Sequence, residues 1–422
     1  MKTFLLAATA CAAPVALAHP AFAAPPKSQW GDPVQVGDGV TVDPIIDARL
    51  RYEAVDTPTL DADAMTLRLR AGFEVKHASG LSFLTESEGT LALADGYNAF
   101  PFAIADSQRR PGYAVVGDPM NVELNRVQAQ YKTRAATVTV GRQRINLDDQ
   151  RFVGAVSWRQ NEQTFDAARL EAKLGPVMLD GAYAISQRTV FGVDAGPRRA
   201  YDGDFAFLGL GAKLGPVSVK AFGYLLDYDA GEQVGALAVS NADTQTWGLR
   251  AAGTFTLAPK TRLALTGSYA RQLDWKSNPV DYSAQYVLAE AALTHGPLGV
   301  TGGYEQLGAD KGRAVQTPMA TLHKFQGWAD LFLTTPAGGI EDWYLGATYK
   351  FAQVKALPGL NAAVTFHRFE SAVGSLHYGD EWDASVGVKL GRAAVLLKYA
   401  DYNATSFGAD TRKLWLQVEV AY

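Results

Sequence analysis

Four arginines, a tryptophan and a glutamine crowd into one short stretch: Arg142, Arg144, Arg151, Trp158, Arg159 and Gln160. The guanidinium fork matches a carboxylate and stays charged at any physiological pH. An indole face stacks on a sugar ring, and a carboxamide bonds hydroxyls. A second set, Arg49, Arg51, Arg68 and Arg70, recurs every second residue on two neighbouring stretches. These ten residues could together guide an anionic or hydroxylated chain. The plainer alternative is a packed constriction loop whose charges shape a pore, with wall charges paired to Asp47, Glu53, Glu74, Glu86 and Glu88.

Catalytic chemistry is not expected. Six histidines are present, His19, His77, His295, His323, His367 and His377, and none has a Ser or Asp spaced for a relay. No His/Cys spacing suggests zinc. Asp148-Asp149, or Asp56 with Asp61 and Asp63, could hold calcium at an outer loop, but surface acids account for them more simply. A phosphate-binding or dinucleotide fingerprint is missing. The expectation is no enzyme, no metal and no cofactor.

The elements that position these residues read as strands. Met65, Leu67, Leu69, Ala71, Phe73 and Val75 alternate with Thr66, Arg68, Arg70, Gly72, Glu74 and Lys76. The same period of two runs through Ile46 to Glu53, Asp342 to Phe351, Trp382 to Leu390 and Leu414 to Tyr422. The runs extend over about 10 to 12 residues, beyond the ~5–6 of ordinary strands and matched to the ~9–11 of membrane-crossing ones. Short turns such as Gly175-Pro176, Gly215-Pro216, Ala258-Pro259, Gly296-Pro297, Pro358-Gly359 and Gly391-Arg392 alternate with long polar loops near 94–121, 144–163, 187–203, 228–243, 307–340, 370–380 and 401–411. Short periplasmic turns and long extracellular loops are the asymmetry of a transmembrane antiparallel β-barrel. The all-β reading counts 19 candidate strands. Parity of the turns removes Phe325 to Leu333, which belongs in a long loop as a short helix, and 18 strands remain, with 16 as the fallback.

No stretch beyond the N-terminus offers the ~18 consecutive apolar residues of a membrane helix. Lys2, the apolar run Phe4 to Leu17 and Ala21-Phe22-Ala23 read as a signal peptide over 1–23. Residues 24–39 follow as an N-terminal periplasmic segment and 40–422 as the barrel. Cleavage after Ala23 would remove Cys11, the one cysteine, leaving no disulfide to hold the fold. The chain ends Leu416, Val418, Val420, Tyr422, an alternating strand with a terminal aromatic of the kind the outer-membrane barrel assembly machinery reads. With 39 basic and 43 acidic residues and a net charge of −4, nothing attracts nucleic acid.

The run Gly141-Arg142-Gln143-Arg144 through Asp148 and Arg151, then Trp158-Arg159-Gln160 and Phe165-Asp166, resembles the alginate export outer-membrane porin family. Gly327-Trp328-Ala329-Asp330 with Phe332 and Thr335-Pro336 does so as well. The resemblance spans roughly 40–422. It implies an 18-stranded barrel with an Arg-rich lumen that passes an anionic polysaccharide, at the outer membrane of a Gram-negative cell. The expected partners are outer-membrane lipids, the assembly machinery and a glycan, and one barrel of this size conducts as a monomer. Two alternatives stand beside this: a nutrient-uptake porin for small sugars or carboxylates, and an outer-membrane enzyme or secreted β protein.

Overall fold

The computed structural model describes residues 31–235 and 242–422. The signal-peptide expectation and residues 24–30 of the periplasmic segment lie outside these. Eighteen antiparallel strands run from Val40–Asp56 to Thr411–Ala421, each paired with its neighbour in sequence. The first and last close the ring, with Asp47 opposite Ala421 and Asp56 opposite Arg412. A four-residue strand, Val34–Gly37, folds back on the start of the first as a hairpin. Closure leaves no free barrel edge, which is what a sheet in lipid requires.

The strands are more varied than the sequence pattern suggests, from 8 residues at Ala136–Gln143 to 17 at Asp61–His77. Alternation sets the two faces. Leu67, Leu69, Phe83, Leu91 and Leu93 are exposed on the outer wall, while Thr66, Arg68, Arg70, Glu86 and Glu88 are buried inside. Trp247, Trp343, Trp382, Tyr131 and Tyr183 are also on the exposed face, as interfacial aromatics are. The start of strand Val40–Asp56 and the end of strand Thr411–Ala421 lie at the end carrying the two-residue turns 175–176 and 215–216. The opposite end carries the long connections, 97–120, 144–163, 229–243 and 308–339.

Residues 325–333 are not a strand, as parity required. Nor do they form the expected short helix: they are turns and bends, preceded by a single 3-10 turn at Leu322–Lys324. The loop around it is not outside the barrel. An apolar core sits within the lumen: Ile145, Leu147 and Val153 from one loop and Val315, Met319, Ala329 and Phe332 from another pack with wall residues Phe165, Phe207, Tyr286, Phe369, Tyr402 and Trp415.

Candidate functional site

Loop 144–163 folds into the barrel, and the wall arginines hold it there. Arg49 donates through Nη1 to the carbonyls of Ser157, Trp158 and Arg159 at 3.1, 3.1 and 3.2 Å. A turn brings those carbonyls together: Val156 has a left-handed φ of 53°, and the Arg159 N–H returns to the Val156 carbonyl. Arg51 donates to the Trp158 carbonyl and to Gln417 at 2.7 Å, and pairs with Asp118 at 3.4 Å, both side chains fully buried. Arg68 bonds Asp47 and Glu419. Arg70 bonds Glu88 and pairs with Glu162 of the loop at 2.6 Å. Gln160 donates to Thr66 Oγ1 at 2.8 Å, and its own N–H reaches Asp118. A guanidinium with several donors in a fixed plane suits this clamping of backbone oxygens.

Loop 308–339 docks against the first. Glu381 on the wall accepts the N–H groups of Trp328 and Ala329. Gly327 makes that approach possible: its φ is 76°, and a Cβ built there would fall inside the Glu381 carboxylate. Asp330 then becomes a hub, bonded to Arg159 at 2.9 Å, Lys413 at 3.0 Å and His323 Nδ1 at 2.8 Å. On the far side of the ring, His323 Nε2 is 2.6 Å from Lys398 Nζ. An ammonium has only donors, so a charged Lys398 makes Nε2 the acceptor and puts the imidazole proton on Nδ1, facing Asp330. Trp158 stacks on His323 at 4.6 Å, and Lys398 lies over Trp158 and Trp328 at 4.1 and 3.7 Å.

Charge in the loops follows from these contacts. Burial holds His323 well below its usual pKa, with Lys398 and Arg159 adding to the effect against Asp330. Burial opposes the Asp330 carboxylate, but His323, Lys413 and Arg159 outweigh it and hold the acid well below its ordinary value. Glu162 is likewise buried and yet lowered, by Arg70 and Arg144 beside it.

Most of these arginines are sealed from water. Arg144 is an exception: its side chain is 28% exposed, while its partners Glu86 and Glu162 are only 2% and 1%. Arg126, bidentate on the same Glu86 at 2.9 and 2.8 Å, is 14% exposed. Lumen water therefore meets the guanidinium edges, with the carboxylates behind them.

Of the ten residues singled out from the sequence, eight gather at this two-loop junction: Arg49, Arg51, Arg68, Arg70, Arg144, Trp158, Arg159 and Gln160. Arg151 lies deeper, 3.2 Å from Glu305 and over the Phe325 ring at 4.6 Å. Arg142 is not in the lumen. It shares the outward face of Val138 and Val140 and clasps Asp166 across the strand pair at 2.7 and 2.9 Å. Strand Ala136–Gln143 continues through Arg142, and the period of two sends it to the outer wall. Sequence reading missed Lys398, Trp415, Asp118 and Glu162. Lys398 and Trp415 had a usable signal, since both alternate with exposed Leu397 and Leu416.

The alginate export family model matches residues 118–272. Among solved structures the chain is similar to OpdL of Pseudomonas aeruginosa, at 17% identity and a TM-score of 0.65, covering 90% of this chain and 98% of that one. It is similar to OccAB4 of Acinetobacter baumannii at 12% identity, TM-score 0.69 and the same coverage. Pseudomonas aeruginosa OpdK, solved with vanillate, gives 15%, 0.67 and again 90% and 98%. No curated protein matches the chain. A closed 18-stranded barrel with an apolar outer wall is a porin-like protein of the Gram-negative outer membrane.

Proposed function

We propose that the chain is a passive channel for carboxylate-bearing solutes, narrowed by loops 144–163 and 308–339. The observation that carries this reading is the pair Arg126 and Arg144, whose guanidinium edges face lumen water while Glu86 and Glu162 are buried behind them. Fixed positive charge in a low-dielectric sleeve concentrates anions even when the whole chain is acidic. Two loops packed into one apolar core inside the lumen favour a small solute over a long chain. The OpdK structure with vanillate, an aromatic carboxylate, supports the same size class.

An anionic polysaccharide is the second reading. The alginate export model match over 118–272 favours it, since that span holds both Arg126 and Arg144. Liposome swelling separates the two. Faster swelling in small carboxylates than in neutral sugars of equal size supports the proposal. Entry of uronate oligomers at the rate of monomers would favour the polysaccharide, and equal rates for neutral and anionic solutes would reject both.

A further inference from the structure

Lys220 and Arg250 stand directly opposite each other on adjacent strands, Val217–Tyr228 and Thr244–Ala258, both on the lumen face. Like charges in register repel. What sits between them is the tip of loop 144–163: Lys220 Nζ meets both Asp148 oxygens at 3.1 and 3.0 Å, and Arg250 meets Asp149 at 2.8 Å. Asp148 and Gln150 hold left-handed φ values of 52° and 70°, a conformation that non-glycine residues seldom adopt. The tip is thus bent sharply to present two consecutive carboxylates to two wall cations. Phe222 and Tyr224 continue the lumen face beyond Lys220, stacked at 5.0 Å, and Tyr224 reaches Asp148 through its hydroxyl at 3.4 Å. The gap left among Leu147, Asp149, Arg250, Ser268 and Tyr286 is about 10 Å³, room for a single water.

These pairs differ from the other loop anchors. Arg51 and Asp118 are sealed, but Lys220 and Asp148 are each about 20% exposed and Arg250 and Asp149 are each 12%. Their partial exposure lets a dissolved anion reach the cations, which the sealed pairs do not allow. The backbone of the tip is held from the other side, by Lys324 Nζ to the Asp149 carbonyl and Thr321 to Gln150, so the two carboxylates leave the wall cations by side-chain rotation alone.

We propose that Lys220 and Arg250 form a carboxylate-binding site, and that Asp148 and Asp149 occupy it as built-in stand-ins which an entering carboxylate displaces. This deepens the channel reading above and rests on it. A protein whose site is filled by its own side chains binds ligand with an affinity reduced by the fraction of time the site is open. Removing the stand-ins must therefore tighten binding, and removing the cations must abolish it.

The test uses the full mature chain in planar bilayers, with chloride current titrated by benzoate and, separately, by glucuronate. The wild type should show a saturable change in current with at least one of them, and whichever acts at lower concentration names the preferred carboxylate. D148N/D149N should lower the half-saturating concentration. K220Q/R250Q should lose the saturable response, and Lys220→Gln alone should raise half-saturation if the double variant does not assemble. A flat wild-type titration, an unchanged half-saturation in D148N/D149N or a response surviving in K220Q/R250Q overturns the site. Those failures with an anion-selective reversal potential reject only the site. A channel without anion preference rejects the reading beneath it.

Discussion

Arginine at this site acts mainly as a structural fastener, and the ledger differs sharply between buried and exposed members. Arg51 is fully buried with Asp118, Gln417 and the Trp158 carbonyl. Removing one partner of a buried pair leaves a bare charge, at about 3–5 kcal/mol. Arg51→Met should lower the urea midpoint of detergent-solubilised barrel accordingly, whereas Arg412→Met, at the exposed Asp401 pair, should leave it unchanged. The His323–Asp330 pair sets a pH response. Both folded pKa values lie below their unfolded ones, so each group contributes stability above its unfolded pKa and loses it as pH falls. His323 begins to lose it below about pH 6.5 and Asp330 below about 4. Urea midpoints should decline from pH 7 to 4.5, and His323→Gln should flatten the upper part of that decline. An equal slope in the variant would remove His323 as its source.

Strand faces make sharper predictions than strand lengths. Leu69 is half exposed on the outer wall, and an arginine near the midplane there costs about 2–4 kcal/mol. Leu69→Arg should therefore reduce the yield of heat-modifiable barrel. Gln128→Arg, on the lumen side opposite Gly141, should not. Lumen positions are tolerant only where water reaches them, and Arg68, fully buried against Asp47 and Glu419, is not such a place. Gly327→Ala should push Glu381 away from Trp328 and Ala329 and release loop 308–339, raising single-channel conductance without loss of barrel yield. The strands themselves were legible because alternation is local: six residues around Leu69 suffice to assign both faces. The inward loops were not, since Arg49 meets Trp158 and Arg159 meets Asp330 across stretches of chain that leave no local pattern. Arg142 shows the reverse hazard. Reading it as part of the arginine loop ignored one more step of strand, and one step exchanges lumen for lipid.

At the scale of the whole molecule, a closed barrel supplies a rigid sleeve, two loops fill part of it, and the arginines divide between holding those loops and facing the water that remains. The acidic total of the chain says little about selectivity, because most carboxylates near the junction lie behind cations. Under the proposed function, selectivity is set where Arg126 and Arg144 meet the lumen. The most direct measurement is the reversal potential of the purified channel in a planar bilayer under a potassium chloride gradient, for the wild type and for R126Q/R144Q. Anion preference is expected in the wild type, and a marked shift toward cations in those variant barrels that assemble. A cation-selective wild type, or a reversal potential that R126Q/R144Q leaves in place, would contradict it.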